Sequence, residues 1–495
     1  MKKSIFINTG ILFIFIILNV SCNDTSKLMP ARVVAELDIG ESGDINLNNG
    51  NVVKLELLEI NEVRDDLRNA IRAAYVKVSV DGKEITLSTG NYNLPVVVGN
   101  VQIDCPAIKG YYTNSDNDHW GLTKDARFRL WPKGSAYIKP GTFVCPIKQD
   151  LFANNTQSGN EPTYVDGGEL PANKKIYYHS GLDIGGSEGM DEIVSATDGI
   201  VISANNEILD GYDDMPGGKR KDVVYVVDNR GWYIRYSHLD STDPEIKPGA
   251  KIKMGQKIGF IGKQGHSGGW VHLHFEIKRK EASSGKWETE DAYAYVWESF
   301  VNQYNPPIIA MARPHHLVWA GQEATLDGRK SKSLTGDIVS YEWEFSDGAK
   351  ATGAVQEKIY NKPGEYSEIL KVTDSNGNVD YDFTVVQVFD KENPEIRIPT
   401  IHTSYYPTLG IKPGDPVSFF MRSFLGGARN EIWDFGDGTP ILNFKSESIP
   451  KKRQNGKYAK AVHSFSDPGH YIVKAEHLND NGYPAIAHLH IVVNE

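Results

Sequence analysis

Apolar and polar residues alternate in short runs along most of the chain, which is the pattern of strands with one buried face. Residues 75–80 and 85–87 are two such runs, and the Asp81-Gly82 pair between them predicts a hairpin turn. Residues 63–74, with charges on one side, predict a helix in the same region. The pattern as a whole predicts a mainly β protein.

A chain of 495 residues is too long for a single core, so several domains are expected. Alternating runs predict a β-rich N-terminal domain at residues 30–153, and the polar residues 154–160 predict a domain boundary after it. Residues 161–304 form a middle segment that holds most of the residues suited to chemistry. This segment ends at residues 305–307, Asn-Pro-Pro, where paired prolines favour an extended connection.

The rest of the chain contains two related copies, at residues 306–391 and 393–495. Residues 343–348 read Trp-Glu-Phe-Ser-Asp-Gly, and residues 433–438 read Trp-Asp-Phe-Gly-Asp-Gly. Short apolar runs between turn residues predict a β-sandwich for each copy. The motif resembles that of the polycystic-kidney-disease (PKD) domain, an immunoglobulin-like sandwich. The resemblance implies spacers or adhesion units that make surface or glycan contacts and carry no catalytic residues.

The N-terminus has the layout of a signal peptide, with two lysines, an apolar run at residues 11–18 and then Cys22. The run is shorter than the ~20 residues of a membrane span. The cysteine resembles the acylation site of bacterial lipoproteins, although Asn19 stands where an aliphatic residue is usual. The resemblance implies a lipoprotein signal peptide at residues 1–22. The exported protein would then be membrane-anchored through lipidated Cys22, facing the periplasm or the cell surface; the alternative is a soluble secreted protein.

Export places the two remaining cysteines, Cys105 and Cys145, in an oxidising environment. A disulfide between them is one expectation. Two buried thiols are the alternative. Neither cysteine is assigned a catalytic role.

A tight loop in the middle segment carries a histidine and an aspartate. Residues 179–186 read His-Ser-Gly-Leu-Asp-Ile-Gly-Gly, and the glycines favour a loop that folds His179 and Asp183 onto one ion. By itself this motif is a weak indication of a metal site.

Two strand-like stretches of the same segment add three histidines. Residues 270–277 read Trp-Val-His-Leu-His-Phe-Glu-Ile, and side chains two positions apart share a strand face, so His272 and His274 project together. Residues 232–239 end a strand-like run at His238. Taken singly, each histidine is more often a surface or hydrogen-bonded residue than a catalyst or a metal ligand.

The ordered combination of these stretches, with a Gly-x-x-Gly at residues 259–262, resembles the lysostaphin/LytM-type zinc metallopeptidases over about residues 174–278. The resemblance implies a compact antiparallel β domain with the duplicated hybrid motif fold and one Zn²⁺ per chain. The implied metal ligands are His179, Asp183 and His274, and the implied catalytic residues beside the metal-activated water are His238 and His272. No His-Glu-x-x-His occurs, so these two histidines are the candidates for proton transfer and oxyanion stabilisation.

Two departures from the family pattern concern the edges of the expected cleft. Residues 265–271 read Gly-His-Ser-Gly-Gly-Trp-Val where a Ser/Thr-Gly-Pro approach is usual, and His266 is expected to face the cleft. An acidic insertion at residues 207–222 is expected to shape substrate access. Its carboxylates include Asp210, Asp213 and Asp214.

The second PKD-like copy repeats the metal-site spacings. His463 precedes Asp467 as His179 precedes Asp183, and His488 and His490 form a second His-x-His. We interpret these residues as parts of the module's own strands, because such short spacings carry little weight without their surroundings.

The combined features predict an exported zinc metalloendopeptidase that hydrolyses peptide bonds in peptidoglycan cross-links or stem peptides. The alternative is a non-catalytic cell-wall-binding or regulatory lipoprotein that retains the peptidase fold. A third hypothesis is adhesion, which requires residues 306–495 to bind glycans while the middle segment is inert. The net charge of -11 provides no basic field for a phosphate backbone, so no nucleic-acid partner is expected.

Overall fold

The computed structural model describes residues 31–113, 115, 118–162, 171–172, 176–280, 285–427, 429–446 and 456–495. The predicted signal peptide and Cys22 lie outside the described residues. Within them the chain is mainly β, as the sequence predicts. None of the helices described there has the length and apolar character to span a membrane.

The N-terminal region is built from strands with one short helix. Their bounds are β1 (Val33–Leu37), β2 (Ser42–Asn46), β3 (Val52–Arg64), β4 (Ile71–Val80), β5 (Lys83–Ser88), β6 (Val96–Val98), β7 (Val101–Ile108), α1 (Gly110–Thr113) and β8 (Ala126–Pro132). They form two four-stranded sheets of order β1-β8-β7-β6 and β2-β3-β4-β5. One apolar core lies between the two sheets, and it includes Leu55, Val76, Ile103 and Phe128.

The hairpin at Asp81-Gly82 is confirmed, and the helix predicted at residues 63–74 is wrong. Asp81 and Gly82 both have positive φ, at 50° and 82°, and Val80 pairs with Lys83 across the turn. Residues 63–74 instead contain the end of β3 and the start of β4, which pair antiparallel. Asp65, Asp66 and Arg68 lie in the turn between these two strands. The segment forms a hairpin because cross-strand pairing decides the structure where local spacing is ambiguous.

The middle region holds the central sheet. Its elements are β9 (Thr156–Gln157), β10 (Leu182–Gly185), β11 (Glu192–Val194), β12 (Gly199–Ala204), β13 (Glu207–Ile208), β14 (Val223–Asp228), β15 (Tyr233–Ser237), β16 (Ser241–Thr242), β17 (Lys251–Ile252), β18 (Lys257–Phe260), β19 (His272–Lys280), β20 (Trp287–Glu290) and α2 (Tyr293–Tyr304). The sheet has the order β13-β12-β14-β15-β19-β10-β9, with β17 paired to β12 and β20 to β19. Strands β11, β18 and β16 form a separate small sheet.

The C-terminal half is also built from strands. Their bounds are β21 (Ile308–Ile309), β22 (His316–Trp319), β23 (Glu323–Asp327), β24 (Lys332–Ser333), β25 (Ile338–Glu344), β26 (Lys350–Thr352), β27 (Val355–Ile359), β28 (Gly364–Asp374), β29 (Val379–Phe389), β30 (Thr400–Tyr406), β31 (Val417–Phe424), β32 (Glu431–Asp434), β33 (Leu442–Phe444), β34 (Ala459–His463), β35 (Gly469–Leu478) and β36 (Pro484–Val493).

The two predicted copies place equivalent residues in equivalent positions. Trp343 and Trp433 are buried in two separate apolar cores. Each tryptophan strand pairs with the first strand of a long hairpin, β28–β29 in one copy and β35–β36 in the other. A pairing of Glu365 with Ala485 joins the two hairpins into one sheet. Residues 393–495 are called the C-terminal module below.

The expected disulfide is not formed, because Cys105 and Cys145 are both free and buried. Cys105 packs in the core between the two N-terminal sheets, whereas Cys145 packs in the core of the central sheet. Burial raises the pKa of the Cys145 thiol to about 12, so it is protonated and unreactive at neutral pH. The two cysteines therefore behave as small core residues.

Candidate metal centre

Strands β10, β15 and β19 lie side by side in the central sheet and bring the motif residues to one place. Asp183 of β10 is directly opposite His274 of β19, and Ser237 of β15 is opposite His274 on the other side. The apolar residues of β19 are fully buried on one face, as the alternation predicts. His272 and His274 therefore share the opposite face with Asp183.

Three atoms form a small triangle at this position. His179 Nε2 lies 3.1 Å from Asp183 Oδ1 and 3.0 Å from His274 Nδ1, and the last two atoms are 2.8 Å apart. Two ligands of a tetrahedral zinc, with bonds of about 2.0–2.1 Å, are separated by roughly 3.3 Å. Two imidazole nitrogens and one carboxylate oxygen are also the donors that zinc prefers. The three residues therefore fit a zinc site, and they are a group suited to a metal.

The glycine between His179 and Asp183 is required by the packing of this loop. A Cβ at Gly181 would lie 2.8 Å from the Phe275 carbonyl oxygen and 3.0 Å from His274 Cε1. Real Cβ atoms do not approach backbone so closely, so any other residue would push His179 away from β19. The glycine thus allows the loop to bring His179 against His274.

The polar residues 154–160, at the predicted domain boundary, contribute a strand and a backbone contact to the site. Thr156 and Gln157 form β9, which pairs with β10 next to Asp183. Ser158 is buried, and its carbonyl oxygen accepts a hydrogen bond of 3.1 Å from His179 Nδ1. This bond fixes the proton on Nδ1 and leaves a lone pair on Nε2 that can bind a metal. Polar composition alone does not show that backbone pairing buries most of these side chains.

The electrostatics of the triangle favour a charged carboxylate. Burial alone would raise the pKa of Asp183, but the neighbouring His179 and His272 hold it well below its usual value. Burial likewise opposes charge on His179, yet the Asp183 carboxylate raises its pKa overall. A divalent metal ion bound at the triangle would replace the proton that His179 and Asp183 share.

His238 lies beside the triangle and lines the same cleft. It follows β15 with a positive φ of 68°, and its Nδ1 donates a 2.7 Å hydrogen bond to the Gln264 carbonyl oxygen. Burial lowers the pKa of the ring, so His238 is neutral at pH 7. A neutral ring that donates from Nδ1 has its lone pair on Nε2.

His272 has a similar arrangement on the adjoining strand. Its Nδ1 donates to the Trp270 carbonyl oxygen at 3.2 Å, and its Nε2 lies 3.4 Å from Asp183 Oδ2. Burial holds its pKa well below the usual value. The ring centroids of His238 and His272 are 4.6 Å apart, so two neutral imidazoles lie together next to the triangle.

These residues line a cleft of about 350 Å³. His266 lines it too, as expected from the sequence. The acidic insertion contributes a cation rather than its carboxylates: Arg220 lines the cleft and pairs with Asp222 at 2.5 Å.

Several cleft residues had no role in the sequence interpretation, among them Arg220, Arg235 and Trp270. Arg235 lies on β15 and its guanidinium contacts the buried carboxylate of Glu276 at 3.3 Å. The alternation of β15 could have identified Arg235, because Arg235 and Ser237 point away from the core side that holds Ile234 and Tyr236.

The comparable histidines of the C-terminal module lie apart from one another. His463 Nε2 bonds Asp437 Oδ2 at 2.6 Å and its ring stacks on Phe435. His488 Nδ1 bonds Ser367 Oγ, whereas His490 pairs with a histidine of the neighbouring strand.

Two family models match the chain. The model of Peptidase family M23 matches residues 177–285, and the PKD domain model matches residues 304–388. The first range contains all five predicted site residues, and the second covers most of the first PKD-like copy.

Curated proteins from several bacteria are similar to parts of the chain. An uncharacterized metalloprotease of Buchnera aphidicola is 32% identical over 244 residues, which is 47% of this chain and 53% of that protein. The murein hydrolase activator NlpD of Salmonella dublin is 33% identical over 247 residues, 45% of this chain and 61% of NlpD. Collagenase ColA of Clostridium perfringens is 39% identical over 87 residues, 18% of this chain. The chain thus spans between 8% and 61% of the length of these relatives.

Solved structures are similar to parts of the chain. A glycyl-glycine endopeptidase LytM structure from Ruminococcus gnavus covers 32% of this chain and 60% of its own, with 23% identity and a TM-score of 0.22. The PKD1 domain of the Vibrio cholerae metalloprotease PrtV covers 17% of this chain and 95% of its own, with 30% identity and a TM-score of 0.14. From the family models, the chain contains a peptidase family M23 domain followed by a PKD domain.

Proposed function

We propose that the protein is an exported zinc metalloendopeptidase that hydrolyses peptide bonds in peptidoglycan cross-links or stem peptides. The observation that carries this proposal is the triangle of His179 Nε2, Asp183 Oδ1 and His274 Nδ1 with two neutral histidines beside it. His179, Asp183 and His274 would hold the zinc. When bound, zinc supplies Lewis acidity that polarises a peptide carbonyl and lowers the pKa of water to about 7.

The two remaining histidines supply the proton transfers. Each donates from Nδ1 to a backbone carbonyl, which leaves an Nε2 lone pair that can take a proton from the attacking water. The ring then carries a proton on Nε2 and can donate it to the leaving amine or hydrogen-bond the developing oxyanion. Burial keeps both rings neutral at pH 7, which is the state that a general base requires.

The charges of the cleft favour an acidic peptide as substrate. Arg220 and Arg235 line the cleft, and each is held by a carboxylate behind it, Asp222 and Glu276. A guanidinium presents a planar fork of donors that suits a carboxylate. Peptidoglycan stem peptides carry free carboxylates, so the two arginines support this substrate class over a neutral peptide.

The location follows from the predicted lipoprotein signal peptide, with anchoring through Cys22. The PKD domain, and the second copy that we interpret in the same way, would space the peptidase from the membrane or contact surface glycans. Similarity to NlpD supports a place in the cell envelope.

The runner-up is a regulatory protein of the cell wall that binds without hydrolysis. The similarity to NlpD, a murein hydrolase activator, favours it. The complete set of two histidines and an aspartate at the triangle weighs against it, because loss of turnover usually begins with loss of metal ligands.

Release of soluble muropeptides from purified peptidoglycan by residues 23–495 tests the proposal. We expect release by the zinc-loaded protein, loss on chelation and recovery when zinc is restored. Stoichiometric zinc with no product from peptidoglycan or cross-linked peptides would exclude the hydrolase. Stimulation of a separate murein hydrolase by that inactive protein would establish the regulatory alternative.

A further inference from the structure

The loop of residues 265–271, which leads into β19, is bound by the C-terminal module. Arg422 Nη1 donates a 2.5 Å hydrogen bond to the Gly269 carbonyl oxygen. Val271 N donates a 3.2 Å hydrogen bond to the Tyr458 hydroxyl. Backbone groups on both sides of Trp270 are therefore held by side chains from a part of the chain more than 150 residues away.

A third residue of the module completes this contact. The Tyr458 hydroxyl lies 2.8 Å from His402 Nδ1, and since it accepts from Val271 N, it can donate its own proton to His402. His402 is fully buried, and burial lowers its pKa to about 3, so the ring is neutral and able to accept. The His402 ring in turn packs against the Trp270 indole, with ring centroids 5.2 Å apart.

Trp270 connects this contact to the metal centre. Its indole stacks on the His272 ring, with centroids 3.9 Å apart and planes 18° from parallel. Its carbonyl oxygen also accepts the His272 Nδ1 proton. The position and the tautomer of His272 therefore both depend on where Trp270 lies.

The burial of the contact indicates that it is built rather than incidental. Arg422 is 1% exposed, and a guanidinium removed from water destabilises the fold unless its hydrogen bonds are satisfied. One of its bonds is made to the loop itself. Trp270 is also packed against Phe424, the last residue of β31, in a small apolar cluster. Charged, polar and apolar groups of the module thus converge on one loop.

We propose that the C-terminal module is a structural part of the peptidase site, in which Tyr458, His402 and Arg422 are positioning residues that set Trp270 and, through it, His272. The module would then act as a built-in clamp on the catalytic loop rather than as a spacer alone. The inference rests on the proposed function only in taking His272 as a proton carrier.

Tyr458→Phe in residues 23–495 tests the clamp, because it removes the acceptor of Val271 N–H and the donor to His402 while keeping the ring. We expect faster amide hydrogen exchange at residues 269–272, unchanged zinc content, unchanged KM and a kcat lower by roughly fivefold, the value of one ordinary hydrogen bond. The matched control is Tyr405→Phe, which removes a 2.8 Å hydrogen bond to the His490 carbonyl elsewhere in the same module. It should leave both the exchange and kcat unchanged.

A second variant covers the case in which Tyr458→Phe folds poorly. His402→Phe keeps an aromatic ring beside Trp270 but cannot accept from Tyr458, and we expect the same changes at a smaller size. Wild-type exchange and kcat in a folded Tyr458→Phe or His402→Phe protein would overturn the clamp. Faster exchange at 269–272 in a protein whose wild type has no turnover would instead retain the clamp and refute the proposed hydrolysis.

Discussion

The middle segment and the C-terminal module contain the same two histidine spacings, and the structure gives them different surroundings. In the middle segment, His179 and Asp183 flank a glycine loop and meet His274 on the adjacent strand. In the module, His463 lies on β34, which pairs with β31, whereas His488 and His490 lie on β36 in another sheet. Strand register, and not spacing, therefore decides whether these residues share one ion.

The difference also lies in the residue two positions after each histidine. Gly181 lets the first loop approach within contact of His274. Phe465 occupies the corresponding place in the module, and it is buried in the module's apolar core beside Tyr471. One position thus directs the loop toward a partner strand in one case and into a core in the other.

The largest expected effect comes from removing a ligand in one region and its counterpart in the other. His274→Ala should reduce zinc from about one per chain to near zero and lower muropeptide release more than about 100-fold, because loss of even an outer partner of a ligand costs 10- to 100-fold. His490→Ala should keep zinc and turnover at wild-type levels. Metal analysis measures the zinc content and product release measures the turnover of each variant. Equal zinc loss in the two variants would show that the two regions do not differ in metal binding.

Within the middle segment, the next largest effect separates the proposed metal ligands from the proposed proton carriers. His272→Ala and His238→Ala should retain zinc but lower kcat by about 10²- to 10⁴-fold, the range for loss of a general acid–base residue. Zinc content and kcat measured on the same preparation test this. Loss of zinc in either variant would make that histidine a ligand instead.

The glycine comparison predicts a change in stability. Gly181→Ala should lower the free energy of unfolding by about 1–3 kcal/mol, the range for an overpacked site, and weaken zinc binding, since its Cβ would meet Phe275 and His274. The control is Gly218→Ala, where a Cβ meets no atom within 4 Å. Denaturant unfolding and zinc titration measure the effects. A Gly181→Ala protein as stable as the control would show that the loop has room to shift.

The smallest expected effect concerns the cleft arginines. Arg235→Gln should raise KM by about tenfold for a peptide with free carboxylates, because a hydrogen bond to a charged group is worth ~1.5–3 kcal/mol. The same variant should change KM little for a matched peptide whose carboxylates are converted to amides. Arg329→Gln, at an exposed ion pair with Asp327 in the PKD domain, is the control. An equal rise in KM for both peptides would show that Arg235 does not bind a substrate carboxylate.

Much of the site could be predicted because its signals are local. Alternation in residues 270–277 gives the shared face of His272 and His274, and the glycines beside His179 give a loop. The resemblance to a known family then supplied the roles. The second set of spacings was separated from the first by its own strand pattern, which the structure agrees with.

The features that escaped prediction depend on contacts between distant residues. Ser158 fixes the His179 tautomer only because β9 pairs with β10. The hairpin over residues 63–74 depends on cross-strand pairing that a helical spacing of charges conceals. Tyr458 reaches Val271 across 187 residues of sequence, and no local pattern marks it. Such pairings are set by tertiary packing, and the local sequence does not encode them.

The most direct test is the location of zinc in crystals of residues 23–495, from anomalous scattering at the zinc edge. We predict one strong peak bonded to His179 Nε2, Asp183 Oδ1 and His274 Nδ1 at about 2.0–2.2 Å. We predict no peak at His463, His488 or His490. A peak at those module histidines, or a middle segment that takes no zinc, would contradict this prediction.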